Sequence, residues 1–281
     1  SFGVEVLDEQ TEVAIVYGLL HPDLGMIKRS IESNKQRKAS LIHIDDFNAD
    51  NDQYTLYVLY QPNMAFKGLF EAIQKVEMNY LLITGKHTDW NFLNQIQNNF
   101  SKDLTGETED YFPVFQSDFN TFYVEDIGFD FFPPLSGQFG AVNFKVDHEV
   151  MIGQKINEVP TEMPLLATVV TNEMKSVVLF GEQIWKWRVQ SFELSDSFQK
   201  FDEFFNSLIQ FLQLSDRNKR MDLYYEPVYH AKEAIKIQAK KYDSNLNLEL
   251  NSKLVLKLND GLDQIPFYTR NNYYEVQLNS L

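Results

Sequence analysis

The sequence predicts an α/β domain, with a mostly parallel sheet and flanking helices, followed by part of an all-β domain. Three observations predict this arrangement. In residues 13–100, four short apolar runs alternate with stretches of helical periodicity, which is the pattern of parallel strands joined by crossover helices. An amphipathic stretch at 197–214 precedes a polar linker at 215–220. After that linker the apolar residues recur at every second position, which indicates antiparallel strands.

The four apolar runs at residues 13–19, 41–44, 56–60 and 80–84 are predicted to be strands, and the continuous first run indicates a strand that is covered on both faces. A helix after the first strand is predicted from the spacing of Leu24, Ile27 and Ile31. Two more helices are predicted from apolar stripes, the first comprising Phe66, Leu69, Phe70 and Ile73 and the second Trp90, Leu93, Ile96 and Phe100. Thr88 or Asp89 is the predicted N-cap of the third helix.

The remainder of the first domain is predicted to extend the sheet. Residues 112–146 are rich in Phe, with short strand-like runs, and are predicted to elaborate one sheet edge. Residues 164–170 and 176–181 predict a hairpin. The helix at 197–214 is expected to point its Phe residues inward, and Asp196 followed by Gln199 resembles a capping box at its start.

Residues 217–281 are predicted to form a second domain, after a first domain at 1–216. Alternating apolar residues at 235–239, 246–250, 254–258 and 274–278 predict strands, and Asn259-Asp260-Gly261 predicts a hairpin turn. A complete immunoglobulin-like sandwich needs about 100 residues. The sequence therefore predicts a partial immunoglobulin-like sandwich.

The composition excludes several classes of function. A net charge of −15 disfavours nucleic acid as a partner, because that binding depends on cationic groups, and it disfavours an anionic membrane surface. No run approaches the about 20 apolar residues of a membrane-spanning helix, so no direct membrane insertion is expected. The chain begins Ser1-Phe2-Gly3, without the regions of a signal peptide. This start predicts an excised segment whose anchor or export signal lies elsewhere.

No metal or other cofactor is expected. The chain has no Cys and five His residues, which are scattered without ligand spacing: His21, His43, His87, His148 and His230. Residues 46–52 resemble the start of a calcium loop, but they lack its sixth-position Gly and twelfth-position Glu. A solvated acidic loop is the favoured interpretation.

Three segments carry a resemblance to a known family: Val-Leu-Asp-Glu-Gln at 6–10, His-Pro-Asp-Leu-Gly-Met-Ile-Lys-Arg-Ser-Ile-Glu at 21–32, and Leu-Phe-Gly-Glu-Gln-Ile-Trp-Lys-Trp-Arg at 179–188. The chain resembles the bacterial von Willebrand factor A-associated membrane proteins that carry a class I glutamine amidotransferase-like domain between immunoglobulin-like domains. The resemblance covers residues 4–215 for that domain and the remainder for a truncated sandwich. It implies a flavodoxin-like, amidotransferase-like fold in the periplasmic or extracytoplasmic part of a membrane-anchored protein. It also implies partners among other domains of that protein or other envelope proteins.

Compared with this family, the chain lacks the residues that carry out the family's chemistry. Class I amidotransferases present a nucleophilic Cys on a strand-to-helix turn, with a His and a Glu later in the chain. The turn here reads Gly85-Lys86-His87-Thr88-Asp89, no Cys exists anywhere, and His148-Glu149 lacks the context of the later pair. The expectation is a pseudoenzyme without glutaminase activity.

The turn nevertheless remains a candidate ligand pocket. Thr88 beside His87 and Asp89 has the residue types for base-assisted nucleophilic attack. Neighbouring residues at a helix start point in different directions, however, which favours a helix cap over a triad. The helix N-terminus after Gly85, with Lys86, could instead bind an anion. The alternative is a turn that only closes a strand–helix unit.

Trp185, Trp187 and Arg188 form a candidate aromatic surface. They follow a Gly at a predicted strand end, where alternation would place both Trp rings on one side as a platform for sugar or peptide. The alternative is that they pack the hairpin onto the following helix.

The sequence thus favours a non-catalytic interaction or scaffold module. Two other functions stay open: a Cys-independent hydrolase or transferase that uses the pocket at Gly85–Asp89, and a carbohydrate- or peptide-binding module that uses the aromatic surface.

Overall fold

The computed structural model describes residues 2–3, 11–48, 53–157, 159–171, 174–213, 221–224, 228–229, 235–241, 248–250, 252, 254–258, 263–270 and 273–278. The chain divides into one unit at Glu9–Gln213 and another that combines Ser1–Asp8 with Leu214–Leu281. The predicted boundary after residue 216 lies outside the described residues. No helix in the described segments is long and apolar enough to cross a membrane.

The unit at Glu9–Gln213 contains five helices among its described residues: α1 (Pro22–Glu32), α2 (Lys67–Val76), α3 (Trp90–Ile96), α4 (Trp185–Ser195) and α5 (Gln199–Gln213). Short 3-10 helices lie at Ile44–Asp46, Met64–Phe66 and Phe129–Phe131. After β1 (Phe2–Gly3), which belongs to the other unit, the strands are β2 (Thr11–Tyr17), β3 (Arg37–His43), β4 (Tyr54–Tyr60), β5 (Tyr80–Thr84), β6 (Phe100–Lys102), β7 (Thr108–Phe115), β8 (Leu135–Gln138), β9 (Val142–Phe144), β10 (His148–Ile156), β11 (Val159–Val170) and β12 (Lys175–Phe180).

Nine of the described strands form one sheet, in the order β3-β2-β4-β5-β12-β11-β10-β7-β8. The pairs from β3 to β12 are parallel, which confirms the four predicted parallel strands. The pairs from β12 to β8 are antiparallel. The sheet is therefore mixed, and the prediction of a mostly parallel sheet is wrong. The connections from β10 to β11 and from β11 to β12 are too short for a crossover helix, so these strands return antiparallel.

Two hydrophobic clusters cover the two faces of this sheet. Val13 and Ile15 of β2 point to the cluster under α1, α4 and α5, whereas Ala14 and Val16 point to the cluster under α2 and α3. This alternation follows from the two-residue period of a strand. The apolar runs at the first strands are thus continuous because helices cover both faces.

Three predictions for the helices are corrected. Residues 185–195 form helix α4, not the end of a strand. Asp196 ends α4 in the left-handed region, at φ 52, and the hydroxyl of Ser197 accepts the hydrogen bond from the Gln199 N–H. The predicted capping box from Asp196 is therefore wrong, because the short α4–α5 connection uses that residue to terminate α4. Phe100, predicted on the stripe of α3, lies on β6.

The second unit contains the strands β13 (Met221–Tyr224), β14 (Val228–Tyr229), β15 (Ile235–Lys241), β16 (Val255–Leu258), β17 (Asp263–Pro266), β18 (Tyr268–Thr269) and β19 (Tyr274–Leu278). In its described residues, an antiparallel sheet runs β13-β15-β19-β18, β16 pairs with β17, and β1 pairs with β14. The predicted turn at 259–261 and Leu246 lie outside the described residues. The immunoglobulin-like sandwich stays a prediction.

Candidate functional site

The candidate site lies where the carboxyl ends of four neighbouring parallel strands, β2, β4, β5 and β12, meet at one edge of the sheet. The chain leaves β2 towards β3 on one side, while β4 lies on the other side of β2. Ligands of open α/β sheets bind at such a switch in strand order. The residues that follow these four strand ends form two connected hydrogen-bond networks.

The first network surrounds the Asp23 carboxylate, which is fully buried. It accepts hydrogen bonds from the Tyr60 hydroxyl at 2.9 Å and from the backbone N–H groups of Gln183 at 2.8 Å and Trp185 at 2.9 Å. His21 Nδ1 lies 3.1 Å from Asp23 Oδ2, and its ring stacks on Tyr60. Donors therefore surround this carboxylate, which offsets the cost of burying its charge.

The second network fills the turn after β5. The side-chain amide of Gln61 donates to Glu182 Oε2 at 2.7 Å and to the Tyr60 hydroxyl at 3.0 Å, which links the two networks. Three consecutive backbone N–H groups of the turn have acceptors: Gly85 donates to the Thr88 hydroxyl, Lys86 to Glu182 Oε2 and His87 to Gln61 Oε1. Consecutive free N–H groups of this kind are an anion-binding device. Here the carboxylate of Glu182 and two neutral oxygens already occupy them.

Gly85 leaves no room for a side chain. A β-carbon at this position would lie 2.5 Å from Gln61 Cδ and 2.5 Å from Glu182 Oε2. These separations are far shorter than a normal van der Waals contact. Only glycine fits at this position, because the side chains of Gln61 and Glu182, at the ends of the two neighbouring strands, contact its Cα.

The electrostatic environment keeps the tyrosine protonated and favours the charged histidine. Burial, and then the charge of Asp23, raise the pKa of Tyr60 above its ordinary value. Burial alone would lower the pKa of His21, but the hydrogen bond and charge of Asp23, together with the charge of Glu182, outweigh it and raise that pKa. A protonated His21 Nδ1 can donate to Asp23 Oδ2, whereas a neutral one accepts from the Asp23 N–H as the N-cap of α1.

Two residues of the networks hold a left-handed backbone without being glycine, Gln61 at φ 46 and Gln183 at φ 76. Such conformations cost of order 1–3 kcal/mol and persist only where surrounding contacts fix them. At Gln61 the side-chain amide supplies those contacts, and at Gln183 the backbone N–H is fixed on Asp23.

The predicted pocket residues are divided between surface and interior. Lys86 and His87 are exposed, Thr88 is buried, and Asp89 is the N-cap of α3, accepting from the Phe92 N–H at 3.0 Å. No hydrogen bond joins the His87 ring to Thr88 in the described part of the chain, and the Thr88 hydroxyl serves Gly85. Gln138 covers the turn from β8 by donating to the carbonyls of Lys86 and Thr88. The structure thus does not bring His87, Thr88 and Asp89 together as a catalytic triad.

The predicted aromatic surface is also divided, because α4 turns its residues by 100° at each step rather than alternating them. Trp187 is fully buried, and its Nε1 donates to the Pro133 carbonyl at 2.8 Å. Arg188 forms a two-bond pair with Asp202, at 2.8 and 2.9 Å. Trp185 is half-buried. The expectation that both rings share one exposed side is wrong.

No cluster of three or more candidate metal ligands is found within the described residues. The calcium-like loop at 46–52 lies partly outside them, since residues 49–52 are not described.

Sequence reasoning missed His21, Asp23, Tyr60, Gln61 and Glu182 as members of one site. Their common signal is that each follows or ends a parallel strand within a few residues. Carboxyl ends of parallel strands share one sheet edge, so comparing all four strand ends would have brought these residues together.

No protein-family model matches this chain, and no curated protein matches it. Among solved structures, it is similar to a cytoplasmic protein from Salmonella typhimurium LT2, with 11% identity, a TM-score of 0.48, and coverage of 70% of this chain and 99% of that one. It is similar to an exo-beta-1,4-mannosidase from Opitutaceae bacterium strain TAV5, with 8% identity and a TM-score of 0.43, over 70% of this chain and 35% of that one. It is also similar to a GMP synthase-type protein from Thermoplasma acidophilum, with 10% identity and a TM-score of 0.39, over 72% and 96% of the two chains. Likenesses at these scores carry no statement about activity, substrate or location.

Proposed function

We propose that this chain is a non-catalytic, amidotransferase-like interaction or scaffold module from the extracytoplasmic part of a membrane-anchored bacterial protein. The observation that supports this proposal most directly is the filled turn after β5. Glu182 and Gln61 occupy the N–H groups of Lys86 and His87, and they leave no space for a side chain at Gly85. A substrate at this edge would have to displace buried side chains that are already hydrogen-bonded.

The geometry opposes the alternative of a Cys-independent hydrolase or transferase. A nucleophilic hydroxyl needs a base within hydrogen-bond reach. The Thr88 hydroxyl accepts from the Gly85 N–H, while the side chain of His87 is exposed. His21, which does pair with a buried carboxylate, has a tyrosine and not an aliphatic hydroxyl against its ring.

A turnover assay tests the absence of catalysis. The chain is incubated with L-glutamine and, separately, with p-nitrophenyl acetate, and the release of ammonia or nitrophenolate is followed. We expect rates equal to those of the His87→Ala and Thr88→Ala variants. Multiple turnovers that either substitution abolishes would contradict the proposal, because they would require the turn to act as a catalytic site.

A rescue experiment tests whether Glu182 fills an anion site. Glu182→Ala removes the carboxylate from the Lys86 N–H and the Gln61 amide, and we expect a lower melting temperature. Formate should then raise the melting temperature of this variant more than that of the wild type, because it can occupy the vacated position. Chloride at equal ionic strength is the control, and an equal effect of both anions on both proteins would argue against a filled anion site.

The extracytoplasmic setting is supported by the resemblance of residues 4–215 to envelope proteins. The chain has no cysteine, so a single introduced cysteine reports its own accessibility. Tyr123 is 86% exposed, and a Tyr123→Cys variant of the parent protein, with any other cysteine replaced, can be labelled in intact cells. We expect reaction with a maleimide that crosses the outer membrane and not the inner one; labelling only after lysis would place the domain in the cytoplasm.

A further inference from the structure

Helix α4 carries apolar residues on its outward face as well as on its inward face. Trp187 points into the core and is fully buried. Trp185, Val189 and Phe192 are spaced i, i+4 and i+7, which places them along one side of the helix. Trp185 is half-buried and packs partly against the core, whereas Val189 is 42% exposed and Phe192 is 41% exposed. These three residues form what we call the outer stripe.

Phe198 extends the outer stripe beyond the end of α4. Its ring centroid lies 4.7 Å from that of Phe192. The Arg188 guanidinium carbon lies 3.9 Å from the centroid of the Phe198 ring. The carboxylate of Asp202 neutralises the charge of Arg188 through two hydrogen bonds. The stripe is therefore apolar, and Arg188 contributes packing to its border rather than a free cation.

The charges beside the outer stripe are separated along the helix. Lys186 lies near the start of α4, and Glu193 and Asp196 lie near its end. Lys186 and Glu193 are seven residues apart, so they lie on the same edge of the stripe but about 10.5 Å apart along the axis, too far to pair with each other. Lys186 Nζ donates to the Gln183 side chain, and neither Glu193 nor Asp196 forms an ion pair with another described residue.

The two carboxylates stand at the wrong end of the helix for an isolated chain. The C-terminus of a helix carries partial negative charge and favours a cation. Among the described helices, α1 and α2 have Arg29 and Lys75 in their last turns, whereas the last turns of α3, α4 and α5 have no basic residue, and that of α4 also contains Glu193. A partner that brings a cation to this end, and apolar side chains to the stripe, would relieve both features.

We propose that the outer stripe is the contact surface for a second copy of this chain, with the two α4 helices antiparallel about a twofold axis near Val189. This arrangement places Val189 opposite its copy, Trp185 opposite Phe192, and Lys186 opposite Glu193. The same surface serves both partners, as a twofold interface requires. The antiparallel direction also brings the negative end of each helix towards the positive end of the other. The inference deepens the proposed interaction role and rests on it.

Net charge and contact area together determine the expected affinity of this dimer contact. Two copies at −15 each repel at long range, and salt near 0.15 M screens that repulsion to within about 8 Å. A contact built on one helix face is small for a stable dimer. We therefore expect a dissociation constant on the order of micromolar.

A cysteine placed on the axis tests the geometry. Because the chain has no cysteine, Val189→Cys creates a single thiol that should lie next to its copy. Mild oxidation of the full chain at about 100 µM, well above the expected dissociation constant, should convert most of it to a disulfide-linked dimer. Met64 is 60% exposed and lies outside α4, so Met64→Cys is the matched control. Equal and slow crosslinking of the two variants would overturn the proposal.

Charge reversal provides an independent test by sedimentation equilibrium. Lys186→Glu and Glu193→Lys should each weaken dimerisation about tenfold, and the double variant should restore it, because the pair forms only between copies. Circular dichroism checks that each variant is folded. Two results would refute this arrangement: a wild type that remains monomeric at 500 µM, far above a dissociation constant on the order of micromolar, or a double variant that dimerises no better than the single ones. Either result would also be obtained if a different protein, and not a second copy, binds the outer stripe. Catalytic turnover at Gly85–Asp89 would instead refute the proposed function and leave the dimer result unaffected.

Discussion

The Tyr60 hydroxyl donates a 2.9 Å hydrogen bond to the Asp23 carboxylate, and the two side chains belong to the ends of neighbouring parallel strands. Asp23 lies in the first turn of α1, which follows β2, and Tyr60 is the last residue of β4. Through Gln61 the same tyrosine is joined to Glu182 beyond β12. This relationship makes the strand ends one polar unit inside an otherwise apolar core, and it is the basis of the first prediction.

Tyr60→Phe should destabilise the protein by about 1–3 kcal/mol, because it removes a donor from a buried carboxylate and leaves that charge less satisfied. The free energy of unfolding is measured by urea denaturation. Tyr123 is 86% exposed, so Tyr123→Phe is the control, with an expected change within about 0.5 kcal/mol. Equal effects of the two substitutions would mean that the Asp23 contact contributes nothing to stability.

Gly85→Ala should destabilise the protein by about 1–3 kcal/mol, because the added methyl group collides with Gln61 and Glu182 and forces a tightly packed region to shift. Gly25 lies in α1, where an added β-carbon would meet no heavy atom within 4 Å outside its own helix backbone. Gly25→Ala is therefore the matched control and should stabilise the helix by about 0.5–1 kcal/mol. A neutral Gly85→Ala would show that the turn is loose enough to admit a side chain.

His21 should make stability depend on pH in a defined direction. Its pKa is raised in the folded state from an ordinary value of 6.5, so between the two pKa values the folded state holds more protons than the unfolded state. Its contribution is therefore complete below about pH 6.5, and it is lost as the pH rises through the folded pKa. His21→Asn keeps an N-cap acceptor for Asp23 and removes the titration. The difference in unfolding free energy between wild type and His21→Asn should shrink with rising pH, and a constant difference from pH 5.5 to 8.5 would contradict this.

Lys102 should produce the opposite dependence. It is 4% exposed, and its Nζ lies over the rings of Trp90 and Tyr111 at 5.4 and 5.5 Å from their centroids. Burial lowers its pKa from 10.5 to about 8, so between those values the unfolded state binds more protons and stability rises with pH.

Lys102→Met removes this titration while keeping an unbranched side chain. The stability of the wild type relative to Lys102→Met should increase between pH 8 and 10.5 when measured by urea denaturation. Lys145→Met, at a residue that is not buried, is the control and should leave the pH dependence of the wild type unchanged. A parallel pH dependence for wild type and Lys102→Met would show that the buried amine titrates normally.

Elements with a continuous apolar run or a single strong period were predicted well. The apolar runs of β2, β4 and β5 and the hairpin of β11 and β12 are confirmed, as is the Phe-rich helix α5. In each case a continuous apolar run or a helical stripe in the sequence matches the burial of the element, so local sequence and tertiary contacts demand the same conformation.

Helix α4 was missed because its apolar residues do not follow one face. Trp185 and Trp187 are two residues apart, which is the spacing of a strand face, and Val189 continues that spacing. Only the packing of Trp187 against Phe129 and Phe132 identifies the inward side of the helix. An amphipathic pattern would have revealed the helix, and the outer stripe is what obscures it.

The sequence by itself determined the strand–helix alternation, the two regions of different periodicity and the absence of a thiol at the turn after β5. Those properties depend on residue type and local spacing alone. Only the tertiary structure decided that the turn is filled, because Gln61 and Glu182 lie 24 and 97 positions from Gly85 along the chain and reach it through the order of the strands. That order depends on how the whole sheet buries its two faces, and no local pattern encodes which strand ends become neighbours.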